Sequence, residues 1–190
     1  MHSSDRPHEY DAVLGGQALP PLDAPVLGGL DRAKLLRHRL LEIYRSGQRN
    51  FAVRDLSGID LSGTNLYQVN LSESNLSRSK LVASNLRKAS LIRTNFYGAD
   101  LGSANFTDAI LFSANLRDAN LRNASLFGSD LRVADLQNAD LRDADLFGAD
   151  LNNALNLTVN QIKSARNWQQ AKYDANWRRL LHLPPSLKFN

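Results

Sequence analysis

The hydrophobic positions of this chain recur at an interval that fits neither common secondary structure. From Phe51 to Leu151 every fifth residue is Leu or Phe, twenty-one in succession, with Phe at 51, 96 and 106. A helix repeats at about 3.6 residues and a half-buried strand at about 2, so a period of five calls for a different wrapping. Two residues before each Leu runs a second series. From Ile59 to Ala154 it is always Ala, Ser, Thr, Val or Ile, and it is Ala in twelve of twenty cases. A polar residue separates the two, as in Asp100, Asn105, Asn115 and Asn120. The small residue and the Leu are two apart, so both point inward from a short extended segment while the residue between them points out. The last two residues of each unit are often Gly, Ser, Asn, Asp or Arg, which suits a corner. The pattern predicts a tube whose sides are five residues long.

The number of sides is also in the sequence. The stretch "LRNASLFGSDL" (121–131) matches "LRDADLFGADL" (141–151) at eight of eleven positions, offset by twenty, which makes four sides per coil. Twenty-one sides then give about five coils, stacked at ~4.8 Å into a column roughly 25 Å long. The tandem A(D/N)Lxx units resemble the pentapeptide-repeat family over about residues 51–154. That resemblance implies an all-β solenoid, a right-handed quadrilateral β-helix.

The ends of such a column expose unpaired strand edges and apolar interior, and need covers. "LDRAKLLRHRLLEIYRSGQ" (30–48) reads as a capping helix, with Asp31 as N-cap, Gly47 as stop, and Leu36, Leu40, Ile43 and Tyr44 on one stripe. After the register fails at Asn156, Thr158 and Gln161 have the spacing of a capping box. A second helix is expected over about 168–182, carrying Trp168, Tyr173, Trp177, Leu180 and Leu181 and ended by Pro184 and Pro185. The expected layout is an irregular Gly- and Pro-rich arm at 1–29, a capping helix at 30–48, the β-helix at 49–155, and a C-terminal helical cap and tail at 156–190. "NQIKSARNWQQAKYDANWRRLL" is similar to the tail that follows pentapeptide repeats in many cyanobacterial proteins. "YDAVLGGQ…APVLGGL" is similar to an N-terminal segment common in cyanobacterial proteins. Neither likeness implies an activity.

Charge and composition narrow the function. The net charge of +4 is uneven: residues 51–99 carry +3, residues 100–154 carry −5 and residues 155–190 carry +5. The high pI therefore does not amount to one basic face, and no direct nucleic-acid binding is expected. There is no cysteine, and the four histidines, His2, His8, His38 and His182, all lie outside the repeat. Thiolate catalysis, Cys-ligated metals and a His general base inside the tube are excluded together. The repeated carboxylates follow from the repeat itself, and "VLGGQ" and "VLGGL" lack a phosphate-loop pattern. No catalytic, cofactor-binding or metal-binding residues are expected. Nor is a membrane span or a signal peptide expected, and the location expected is cytoplasmic.

Positions twenty apart stack, which sorts the outward residues by side. One ladder reads Asp60, Lys80, Asp100, Asn120, Asp140, where Lys80 between two acids reads as a surface charge ladder. Ile110 breaks the polar rule more sharply, and Phe112 follows two residues later. Ile92 falls on the same side one coil earlier, Val133 at a nearby corner one coil later, and Phe127 and Phe147 stack on the adjacent side. Tyr67 and Tyr97 add aromatic surface elsewhere. Outward apolar residues gathered on a polar column mark an interaction surface. These six, Ile92, Ile110, Phe112, Phe127, Val133 and Phe147, are the candidate partner-binding residues, with Phe112 as anchor. The expected function is a non-enzymatic scaffold for an unidentified protein partner or a second copy of the chain; the arm or the Trp-bearing tail folding over the surface is the structural alternative. Some pentapeptide-repeat proteins resemble duplex DNA in shape and charge and bind DNA gyrase, so the resemblance implies gyrase inhibition as a second function. It is the weaker one, because Arg87, Lys88, Arg93, Arg117, Arg122, Arg132 and Arg142 interrupt the acids.

Overall fold

The computed structural model describes residues 13–14, 17–18 and 32–184. Its main body is a ladder of parallel bridges. They join each outward polar residue to the one twenty positions later, from Asn50 with Asn70 to Asp135 with Leu155. Each side passes a fixed set of hydrogen bonds to the next coil. The Leu101 N–H donates to the Asn120 carbonyl at 2.8 Å, the Asn120 N–H donates back to the Ala99 carbonyl at 2.9 Å, and the Ser103 N–H donates to the Arg122 carbonyl at 2.8 Å. The five-residue period is thus satisfied between coils.

The interior follows from the two inward series. Leu81, Leu101 and Leu121 are each 0% exposed, and so are Phe96 and Phe106, whose rings meet edge to face at 6.5 Å and 81°. Serine and threonine are tolerated at the small inward position because a backbone carbonyl accepts from each hydroxyl. Ser79 donates to the Leu76 carbonyl at 2.6 Å, Ser84 to Leu81 at 2.8 Å and Thr94 to Leu71 at 2.8 Å. A buried hydroxyl without such an acceptor would destabilise the column.

The corners are tight turns closed by bonds such as Ala104 N–H to the Leu101 carbonyl, 3.1 Å. The second corner residue lies in the left-handed region at every side from Val53 to Asn153. Glycine occupies it at 58, 63, 98, 128 and 148, and Asn or Asp takes it at several others. Val53 and Val133 adopt it too, at φ 58° and 61°, where a β-branched side chain is strained.

At the start, Val13–Leu14 (β1) and Gln17–Ala18 (β2) pair antiparallel, Val13 opposite Ala18. They fall within the segment expected to be an irregular arm; the rest of 1–29, and Asp31, lie outside the described residues. Helix α1, Arg32–Arg45, buries Leu36, Leu40 and Tyr44 in the same core as the column's leucines. The Tyr44 hydroxyl donates to the Tyr67 carbonyl at 2.8 Å, and the Arg49 guanidinium lies 3.9 Å over the Tyr44 ring. Burial raises the Tyr44 pKa and Arg49 partly offsets it. Gly47, at φ 103°, turns the chain out of the helix.

After Leu155 the chain keeps pairing while losing the repeat. Helix α2, Val159–Ser164, starts on the Thr158–Gln161 capping box. The Gln161 amide also donates to the carbonyls of Leu136 and Ala139, both at 2.9 Å. The long helix expected over 168–182 is not formed. A 3-10 turn, Trp168–Gln170, is followed by helix α3, Ala175–Leu180, started by Asp174, whose carboxylate accepts from the Asn176 and Trp177 N–H groups. Between them Lys172 bridges to Asp150. Strand pairing to the column's open edge overrides the amphipathic pattern there. Tyr173 is buried beside it and donates to the Trp168 carbonyl at 2.9 Å, and burial holds its phenol well above the usual range.

Candidate functional site

The outward polar residues have a structural task that accounts for their repetition. Each Asp or Asn carboxyl or amide oxygen accepts the N–H two residues on, as Asp60 does from Ser62 at 2.9 Å and Asn105 from Thr107 at 3.0 Å. Asparagines also donate to the residue one coil back: Asn120 to Asp100 at 2.8 Å, Asn85 to Asn65 at 2.9 Å. Aspartate cannot donate, and three on successive sides late in the column recruit arginine. Arg132 grips Asp130 through two bonds of 2.9 and 2.8 Å, Arg142 grips Asp140, and Arg117 reaches Asp135 at 3.3 Å.

These contacts hold the carboxyls below their ordinary value. For Asp130 and Asp140 the arginine hydrogen bond is the main cause. For Asp55 it is the bond from Ser57, and for Asp60 the Ser62 N–H. Burial pushes Asp135 up, but bonds from Asn156 and the Gln137 N–H together with Arg117 outweigh it. The carboxylates are structural participants. Among the described residues no group of His, Cys, Asp or Glu has the arrangement of a metal site.

Against this background the apolar outward residues separate into two groups. Ile110 stands in the bridge column between Ser90 and Asp130 and is 42% exposed. Ile92, Phe112 and Val133 belong to the same side and are only half-buried. Phe112 is shielded by the Arg132 guanidinium, 5.6 Å from its ring centre. The second group lies at the preceding corner. Phe127 and Phe147, at 42% and 44% exposed, stack face to face at 5.3 Å with 4° between their planes. The structure brings the six residues onto one side and its leading corner. It makes the phenyl pair and Ile110, rather than Phe112, the accessible members. The stacking was legible from the twenty-residue offset; the shielding of Phe112 was not, since no spacing rule places an arginine over that ring.

A feature that sequence reasoning passed over lies on the side carrying Phe96. Here Asn75, Asn95 and Asn115 form a continuous amide ladder, flanked by Ser77, Arg78 and Tyr97, around a shallow concavity of about 520 Å³. The signal was available: three asparagines at twenty-residue spacing, beside small Ser57 and Ser77 with large Tyr97 one coil on.

Comparison with known proteins agrees with the repeat. The sequence profile of the pentapeptide repeats matches in eight copies, over residues 55–91, 74–112 and 114–153. No curated protein matches the chain. Among solved structures, a pentapeptide repeat protein from the cyanobacterium Cyanothece 51142, Rfr23, is 24% identical over 72% of this chain and 96% of its own, with a TM-score of 0.45. The pentapeptide repeat protein alr5209 from Nostoc Pcc 7120 is 31% identical over 72% of this chain and 93% of its own, TM-score 0.32. QnrB1, a plasmid-mediated fluoroquinolone resistance protein, is 21% identical over 70% of this chain and 85% of its own, TM-score 0.28.

Proposed function

The chain belongs to the pentapeptide-repeat family, whose fold is a right-handed quadrilateral β-helix, and on that premise we propose that it is a non-enzymatic scaffold that docks another protein through its β-helix side chains. In this reading the column has about five coils, closed at one end by α1 and at the other by α2 and α3. One observation carries the reading: two stacked phenyl rings, each more than 40% exposed, stand at the corner leading onto the side of Ile110. Exposed aromatic surface on a rigid frame is the composition from which interface hot spots are built. The partner is a protein or a second copy of this chain, and the location is the cytoplasm. Among the described residues no helix is long and apolar enough to cross a membrane.

The test is the double variant Phe127→Asp/Phe147→Asp. Its circular dichroism should match wild type, because both rings project outward. Pull-down from the native cell and light scattering should lose the partner or the dimer. A partner that binds the variant as well as wild type overturns the docking surface, and a variant that fails to fold shows that the rings are held by the chain itself. Gyrase inhibition is the second reading, and the arginine-paired carboxylates weigh against it. An unchanged supercoiling rate at excess protein is the expected result.

A further inference from the structure

The concavity on the Phe96 side is set apart by what its groups lack. Most arginines on the column face a carboxylate: Arg93 with Glu73, Arg117 with Asp135, Arg122 and Arg142 with Asp140, and Arg132 with Asp130, all within 4.0 Å. Arg78 does not. Among the described residues, no hydrogen bond or ion pair engages its guanidinium, the Ser77 hydroxyl or the Tyr97 phenol. All three line the concavity, and no acidic side chain does.

The amide ladder adds donors of the same kind. Asn75, Asn95 and Asn115 each spend one side-chain N–H on the oxygen one coil back, at 3.1, 3.1 and 2.9 Å. A carboxamide has two such hydrogens, so each keeps one. The oxygens of Asn75 and Asn95 are occupied, each by a backbone N–H and by the next asparagine. The surface therefore offers free amide hydrogens, hydroxyls and a positive charge, and the carboxylates at the two ends of the ladder, Asp55 and Asp135, are each paired with an arginine, Arg32 and Arg117. Its complement is an anion dense in acceptor oxygens. Phosphate has three such oxygens on a monoester and pairs with arginine in a fork.

The remaining wall fixes the rest of the ligand. The Tyr97 ring is 39% exposed and gives a flat apolar surface beside the cation. The corner glycines leave the approach clear. A Cβ at Gly98 would meet only the Arg78 Cγ, at 3.8 Å, and one at Gly58 would meet nothing within 4 Å. The volume, about 520 Å³, falls in the range of small-molecule sites. We infer that this groove binds the phosphate monoester of a small ring compound, the phosphate held by Arg78 and the free amide hydrogens, and the ring resting on Tyr97.

The full chain suits amide-resolved NMR titration with adenosine monophosphate, glucose 6-phosphate, inorganic phosphate and adenosine. The expected result is saturable shifts at the amides of Ser77, Arg78, Asn95 and Tyr97 with one or both esters, and weaker effects from adenosine. The stronger ester names the ring. Arg78→Gln should weaken ester binding about tenfold, the scale of one lost charge-assisted bond. Tyr97→Ser should weaken the esters while leaving inorganic phosphate unchanged, and Tyr97→Phe should bind like wild type. Both residues project outward, so the variant spectra report an intact fold directly. The inference is overturned if no ester shifts these amides saturably, if Arg78→Gln binds as wild type does, or if adenosine binds as well as its monophosphate. None of these outcomes bears on docking at Phe127 and Phe147, which lie at another corner.

Discussion

The column and the segment that follows it solve one problem with different sequences. From Asn50 to Leu155 pairing runs at a constant offset of twenty, and the units repeat a small residue, a polar residue and a leucine, with Ile110 in the polar place and Phe in the leucine place at 51, 96 and 106. After Leu155 the bridges continue at offsets of 21 and 22, from Asp145 to Arg166 and from Asp150 to Lys172, with no pentapeptide in the sequence. The Arg166 N–H still donates to the Ala144 carbonyl, and the Lys172 N–H to that of Ala149, both at 2.8 Å. What the edge demands is a partner for its backbone groups; the repeat is one way to supply it. The irregular segment supplies it too, and the Gln161 amide adds donors to the Leu136 and Ala139 carbonyls.

Substitutions distinguish the column from the segment that follows it. The largest effect is expected inside the column, where Leu101→Ala should cost about 3 kcal/mol, because a buried leucine leaves a cavity that neighbouring coils cannot close. Ile162→Ala in α2, also 0% exposed, should cost about as much and unfold in the same urea transition. If instead the Ile162 variant melts in a separate early phase, the C-terminal segment is an independent layer and not the last part of one cooperative unit. Next in size is Asn95→Ala. It removes the acceptor for the Tyr97 N–H and both ladder bonds, and should cost about 2 kcal/mol by denaturant titration.

Smaller effects come from the corners and from acid. Val53 is 72% exposed and left-handed, so Val53→Asn should stabilise by about 1 kcal/mol, visible as a raised midpoint. Asp55, Asp60, Asp130, Asp135 and Asp140 all titrate below their ordinary 3.8 in the fold. A lowered folded value stabilises above 3.8 and is lost as the pH falls through the folded value. Stability should therefore hold from neutral pH down to about 4 and decline below it. Each carboxylate is partly solvated, so individual contributions are small. Asp140→Asn should shift the acid midpoint upward or leave it unchanged; a markedly more acid-resistant variant would show that the Arg142 pair works against the fold.

The column was readable because its cause is local and repeated: a leucine every fifth residue and a small residue two before it force the same inward pair at every side. The faces were readable because four sides make twenty residues. Thr158 and Gln161 announced α2 through a short-range hydrogen-bond pattern. The break between Trp168 and Ala175 was hidden, because it depends on the open backbone edge at Asp150, which no composition rule registers. Val53 and Val133 gave no sign of left-handed corners, since hydrogen bonds to neighbouring coils hold a conformation that valine alone avoids. The shielding of Phe112 depends on Arg132 choosing Asp130. The groove on the Phe96 side depends on which amide hydrogens the ladder leaves unspent.

The amide ladder also gives the column a direction. Asn95 donates a hydrogen bond toward the start of the chain and accepts one from Asn115 in the coil ahead. An aspartate can therefore close the early end of a stack, as Asp55 does beneath Asn75, while its second carboxylate oxygen takes the Arg32 guanidinium at 3.1 Å. The same residue at the far end of a stack takes its hydrogens from elsewhere, Asp135 from Arg117 and Asp145 from the Asn167 amide. Hydrolysis of a single side-chain amide in the middle of the stack, at Asn95 for instance, would place a carboxylate against the oxygen of Asn75. A converted rung would stack two acceptor oxygens with no hydrogen between them.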